Sequence, residues 1–250
     1  MRTRTLRIAA AALAVGIVSS QAQVYSQNIV GYANIATPSA SVYYLLECPF
    51  QIGASNGANE VFGTTLPDFT QVLTWDVTHQ TYVVSLYDSS QPTPGFSWYD
   101  INDSVPVTIP VLPPGQGFFL VPGDNHVTNT FAGTVAVASG ATNNTSLPSA
   151  SVYYLVGSTI PFDGFVTNHV TGTSQGVNLV GTPDFTQVLT WNVGSQSYVV
   201  SLYDSSQPTP GSTWYDINDS IPQVCPSVTV GQGFFVVPGD NGYIWTQSLP

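Results

Sequence analysis

The chain has 250 residues, with 14 Asp and Glu against three Arg and no Lys, and a formal net charge of −11. The Arg residues are Arg2, Arg4 and Arg7, so from residue 8 onward the only side chains able to carry positive charge are His79, His126 and His169. Recognition of nucleic acid through its phosphates is thereby excluded, as are attraction to anionic lipid headgroups and Arg clamping of phosphate or carboxylate substrates.

Residues 1–22 read as a secretory signal peptide. A basic start is followed by an Ala-rich apolar run at 8–18 and a small-x-small site at Ser20-Gln21-Ala22. The run is about half the roughly 20 residues that span a bilayer, so no membrane insertion is expected after cleavage. The mature chain is expected to begin at Gln23 and to be secreted, extracellular or at the cell surface. Charged residues are only 7% of the chain. Stability must therefore come from apolar burial and sheet hydrogen bonds, with few ion pairs.

The mature chain opens with alternating residues at 24–37, a strand pattern that Pro38 stops. A second β-rich run, SVYYLLE, follows at 41–47, and a Gly- and Asn-rich connection, read as a surface loop, fills 49–67. Residues 70–76 and 81–88 predict a hairpin with its turn at 77–80. A Pro-rich loop then leads into a short strand at Trp98-Tyr99-Asp100. Pro113-Pro114-Gly115 marks a tight turn, and GFFLV at 117–121 predicts a strong strand. The run FAGTVAVA at 131–138 predicts another.

Much of this order returns. SLYDSSQPTPG and WYDINDS occupy 85–95 and 98–104, and SLYDSSQPTPG and WYDINDS occur again starting at Ser201 and Trp214, the second copy reading on as far as Ser220. The same holds for TQVLTW and GQGFF. The chain is read as a tandem duplication, with repeats at 23–139 and 140–250. The second connection is longer, at 164–175. No stretch has helical periodicity with caps. The expected fold is all-β: two tandem β-sandwich or small-barrel domains of about 100 residues each. The second repeat lacks a recognisable opening strand and room for a final one. An unpaired sheet edge is therefore expected, open to self-association by strand addition.

The motifs VYSQN and VGY after the signal peptide, then PGQGFF at 114–119 and FAGTV at 131–135, resemble those of a group of uncharacterised secreted β-proteins of verrucomicrobial-type bacteria. The resemblance covers the first repeat and, without its opening motif, the second. It implies a secreted β-fold and carries no activity or site.

Cys48 and Cys225 each stand where the other repeat has Ile, which points to small buried apolar positions. An oxidising compartment also permits a disulfide between them. Asp100, Asn102 and Asp103, with Asp216, Asn218 and Asp219, are candidate calcium ligands, since several oxygens come from one loop. The competing reading is an Asx-turn closing the WYD strand. Trp98, Tyr99, Trp214 and Tyr215 are candidate platforms for a glycan, with both Trp expected to be partly exposed. Trp75 and Trp191 are expected in the core. Any binding should occur in pairs, once per repeat. Asp88 and Asp100 offer carboxylates, but no nucleophile elbow, metal-spaced His pair or phosphate loop is present, so no catalysis and no cofactor beyond calcium is expected. The sequence reads as a secreted structural or surface protein acting by assembly or adhesion, or else as a carbohydrate- or calcium-binding module.

Overall fold

A computed structural model describes residues 30–63, 66–91, 97–137, 141–168, 176–207 and 213–249. The expected signal peptide, the Pro-rich loops at 92–96 and 208–212, and the expected domain boundary at 139/140 lie outside them.

The first half runs β1 (Val30–Thr37), β2 (Tyr44–Glu47), β3 (Phe50–Gln51), α1 (Ala58–Phe62), β4 (Thr70–Asp76), β5 (Thr81–Tyr87), β6 (Trp98–Tyr99), β7 (Gly117–Val121) and β8 (Val127–Val135). The second half runs β9 (Thr142–Leu147), β10 (Tyr154–Val156), β11 (Gly164–Phe165), β12 (Thr186–Asn192), β13 (Ser197–Tyr203), β14 (Trp214–Tyr215), β15 (Ser227–Val228), β16 (Phe234–Val237) and β17 (Tyr243–Ser248). The fold is all-β. Two five-stranded antiparallel sheets, β2-β7-β4-β5-β6 and β10-β16-β12-β13-β14, share one strand order. Their registers also match: Trp75 faces Tyr82 as Trp191 faces Tyr198, and Leu73 faces Phe119 as Leu189 faces Phe235. Among the described residues no sheet closes on itself, and the sheets pack against one another.

Four layers result. The small sheet β1-β8-β3 covers one face of the first large sheet, around Tyr44, Leu46, Val72, Phe118, Leu120 and Phe131. The two large sheets cover each other through Leu45, Leu73, Phe119, Val121 and their matches Leu155, Leu189, Phe235 and Val237. The pair β9-β17 covers the outer face of the second sheet, around Trp245, Phe234 and Val236. Strand β7 is thus buried on both faces, with alternate side chains entering different cores. That is why GFFLV is continuously apolar instead of alternating. The cores are not confined to their halves: Ile160 and Leu249 of the second half pack in the core of the first.

The outermost strands β2 and β10 are each closed by the opposite half. Glu47 N donates to Gly231 O at 2.9 Å, and Gly157 N donates to Gly115 O at 3.0 Å. Gln232 bridges to Leu46, and Gln116 to Val156. These crossings leave no room for side chains. A Cβ on Gly233 would lie 2.5 Å from the Leu46 carbonyl oxygen, and one on Gly117 would lie 2.9 Å from that of Val156. The glycines of both GQGFF motifs are packing requirements. At the opposite edges, residues 105–107 cover β6, with Val107 N bonded to Trp98 O at 2.9 Å and Pro106 bridging to Tyr99.

Three expectations need correction. A short helix, α1, lies inside the connection read as a loop. Glu60 accepts from the backbone N–H groups of Ala54, Ser55 and Gly57 at 3.1 Å each, while Ala58, Val61 and Phe62 are buried. Five residues are too few to show a period. The second half also has both strands it was expected to lack: β9 opens it and pairs with β17, as β1 pairs with β8. Strand β9 went unrecognised because only Leu147 among its residues is buried, so TNNTSL shows no apolar alternation. Finally, the longer second connection is not loop throughout: it contributes β11, which pairs with β15 where the first half has the single bridge Gly57 to Val111. The hairpin turns fall as predicted, with Gln80 and Gln196 in left-handed backbone.

Gly233→Ala should destabilise the protein by about 2–4 kcal/mol, because a backbone carbonyl blocks the new methyl. Gly194→Ala, whose Cβ would meet only a side-chain oxygen at 3.4 Å, should stay within about 0.5 kcal/mol of the parent. Denaturant titration of the two variants checks the contrast.

Candidate functional site

The acidic turn is built from its first residue. Asp100 Oδ1 accepts from the backbone N–H of Ser104 and of Val105, each at 2.8 Å, and Asn102 donates to Oδ2 at 3.2 Å. Asp216 repeats this with Ser220 at 2.8 Å, Ile221 at 2.7 Å and Asn218 at 3.3 Å. These bonds favour the charged form and hold both carboxyls down at about 2. Asp103 and Asp219, which donate their N–H groups to the carbonyls of Asp100 and Asp216, take left-handed backbone. Their Oδ2 atoms accept from Gln91 and Gln207 at 2.6 Å, and their buried Oδ1 atoms have no hydrogen-bond partner among the described residues. Asp88, nearly fully buried, lies beside Asp103, with its Oδ1 capped by the N–H and hydroxyl of Ser90.

The structure therefore brings Asp103 to Asp88 and leaves Asp100 on the turn. Asp100 Oδ1 is bonded to the turn's own backbone N–H groups, as in an Asx-turn, while Asp103 Oδ2 is bonded to Gln91. Among the described residues no group of three His, Cys, Asp or Glu is gathered closely enough to hold a metal.

The expected exposure of Trp98 and Trp214 is not found. Trp98 is 1% and Trp214 3% exposed, and Tyr99 and Tyr215 are 2%. Trp98 stacks edge-on against Tyr87 and donates to Asn59 Oδ1 at 2.7 Å; Trp214 stacks against Tyr203. Strands β6 and β14 turn both rings inward, although Trp214 also lines a cleft of about 420 Å³.

Trp75 and Trp191 instead lie half-buried at the seam between the large sheets, outside either half's own core. Each indole donates to a backbone carbonyl of the opposite half at 2.8 Å, Trp75 to Tyr153 and Trp191 to Tyr43. Gln80 and Gln196, at the hairpin tips, accept from those same residues' N–H groups at 2.9 and 3.0 Å. Between them Tyr82 and Tyr198 join hydroxyl to hydroxyl at 2.7 Å, and burial raises both phenols. Trp75, Tyr82, Tyr153, Tyr198 and Phe235 also line a cleft of about 450 Å³ open to solvent. The sequence carried a signal for this seam: Leu73, Trp75, Tyr82 and Val84 are apolar on the strand face opposite Val72.

One further ionisable group is hidden at the seam. Glu47 is 1% exposed; the backbone amides of Gly231 and Gly115 face its carboxyl, while Oε2 has no hydrogen-bond partner among the described residues. Burial outweighs the amides and raises its pKa well above the usual range. Next to it, burial pushes the Cys48 thiol up to about 12. Cys48 and Cys225 are both free. Cys48 is fully buried in the first core, whereas Cys225 is half-buried beside Thr167 in the second.

Two predictions follow from these groups. Tyr82→Phe should cost about 1 kcal/mol by stranding the Tyr198 hydroxyl, whereas Tyr82→Phe with Tyr198→Phe should cost less than either single change. A double-mutant cycle in denaturant measures the coupling. The pH dependence has two limbs. The depressed pKa values of Asp100 and Asp216 contribute stability that is lost as pH falls from about 4 to about 2. The raised Glu47 contributes stability that is complete below its unfolded pKa of about 4.3 and is lost as pH rises through its folded value. The melting midpoint should thus peak in mild acid. Glu47→Gln should flatten the decline above the peak, and Asp100→Asn should flatten part of the decline below it. No family model matches this chain, and comparison with curated proteins and with solved structures found no match.

Proposed function

We propose that this is a secreted, non-catalytic structural or surface protein, a tandem duplication behind a signal peptide, that acts by assembly. One observation carries the reading. Strand β1 pairs with β8 along one side only among the described residues, and Val30 and Tyr32 on it are 74% and 75% exposed. An exposed apolar edge strand is a template for pairing with another chain. Among the other edges, β2 and β10 are covered by the opposite half, β6 and β14 by Pro-containing segments, and Thr246 of β17 by the side chain of Asn178 at 2.7 Å; β9, which pairs with β17 alone among the described residues, is the other open edge, but it is polar apart from Leu147. The groups best suited to chemistry support the non-catalytic part of the reading. Asp100, Asp216, Trp98 and Trp214 are spent on turns and core. No described helix is long and apolar enough to cross a membrane.

A second reading, a carbohydrate-binding module, draws on the cleft of aromatic faces at the seam. A glycan array with the protein from residue 23 onward separates it from the first, and melting with calcium against chelator tests the calcium version.

Light scattering of that protein over a concentration series should show growth in mass, and electron microscopy should show filaments or sheets. Tyr32→Lys should return the protein to a monomer, since a charge on an edge strand opposes pairing. A parent protein that stays monomeric at high concentration would sink the assembly reading.

A further inference from the structure

The seam is matched from both sides. Leu45 and Leu155, Leu73 and Leu189, Trp75 and Trp191, Tyr82 and Tyr198, and Phe119 and Phe235 are the same residues in equivalent roles. Such a surface is self-complementary. The first half of one chain would fit the first half of another as well as it fits its own second half. One position breaks the equivalence. Glu47 and residue 157 make the same backbone contact, each donating its N–H to the carbonyl of the glycine that crosses it, Gly231 or Gly115. Yet one is Glu and the other Gly. The Glu47 side chain lies over Gly157: a Cβ there would stand 2.3 Å from Glu47 Cγ and 2.7 Å from Cδ. Its carboxyl faces the amides of both crossing glycines, one from each half. The space holds one side chain.

We propose that Glu47 and Gly157 form a pairing key, so that the seam accepts a first half against a second half and rejects like against like. Two first halves would force two Glu side chains into a space that holds one, with no Lys or Arg after residue 7 to pair with a carboxylate there. Two second halves would leave a void where Glu47 sits. The partner of each seam surface is therefore the opposite half of this chain. The key is a repulsive element added to an otherwise permissive surface, which is how specificity between similar partners is secured. It stands on the matched geometry of the halves and does not require that chains assemble through β1.

The test uses the full chain in a Tyr32→Lys background, so that association through β1 does not contribute. Gly157→Glu places two carboxyls in the space and should lower the melting midpoint by roughly 10 °C. The exchanged variant, Glu47→Gly with Gly157→Glu, restores one Glu facing one Gly and should recover at least half of that loss. Should Gly157→Glu fail to fold, folding of the exchanged variant decides the same point. Glu47→Gly alone removes the bar to like pairing, so light scattering should show a species of twice the mass that neither the parent nor the exchanged variant forms. The proposal is overturned if Gly157→Glu melts with the parent, if the exchanged variant is no more stable than Gly157→Glu, or if Glu47→Gly stays the size of the parent.

Discussion

At each end of the seam, a Gly-Gln-Gly turn from one half lies across the outermost strand of the other. Carbonyl and amide pair at about 3 Å, and a methyl group on the crossing chain would collide with the strand beneath. The rest of the molecule depends on this close approach. It sets the spacing at which the large sheets face each other, and hence the depth at which Phe119 and Phe235 interlock with Trp191 and Trp75. It also removes the two sheet edges that would otherwise offer unpaired backbone groups to solvent.

The seam shows how a chain nearly free of positive charge stays folded. The one ion pair among the described residues, His79 with Asp76, is on an exposed turn and contributes little. The carboxylates find hydrogen bonds instead of cations: Asp100, Asp216 and Glu60 close turns around themselves. Glu47 faces two backbone amides, but burial outweighs them, and the result is a protonation equilibrium tied to folding. Cohesion falls to apolar area in three stacked cores, with aromatic rings meeting edge to face along the middle one.

How much of this was legible can be followed residue by residue. The hairpins, the WYD strand and β7 were readable because β-branched and aromatic runs between turn residues are a local signal. Strand β9 was not, since a strand wetted on most of its length looks like a loop. The Pro-Gly loop before Trp98 points to exposure in the sequence, whereas β6 turns the ring inward against Tyr87. The acidic turn was seen as either a cation site or an Asx-turn. In the fold Asp100 Oδ1 accepts from the Ser104 and Val105 N–H groups while Asp103 lies beside Asp88. The seam was hidden for another reason. Trp75 and Trp191 do read as buried, but nothing local tells a ring packed in its own half from one packed against the other.

The mutual covering of edges also has a consequence in time. Tyr82 and Tyr198, which meet at the centre of the seam, are 116 residues apart in the chain. At about 5–20 residues per second, the ribosome needs roughly 6–23 s to make the intervening stretch. From the point in that interval at which β7 has been made, the first half has its hairpin, its Leu73 and Phe119 face and its bare β2 edge, and no second half to lay against them. The nascent chain must survive this window with its stickiest surface uncovered, which makes the speed of synthesis and the crowding of neighbouring chains part of what decides whether the molecule forms.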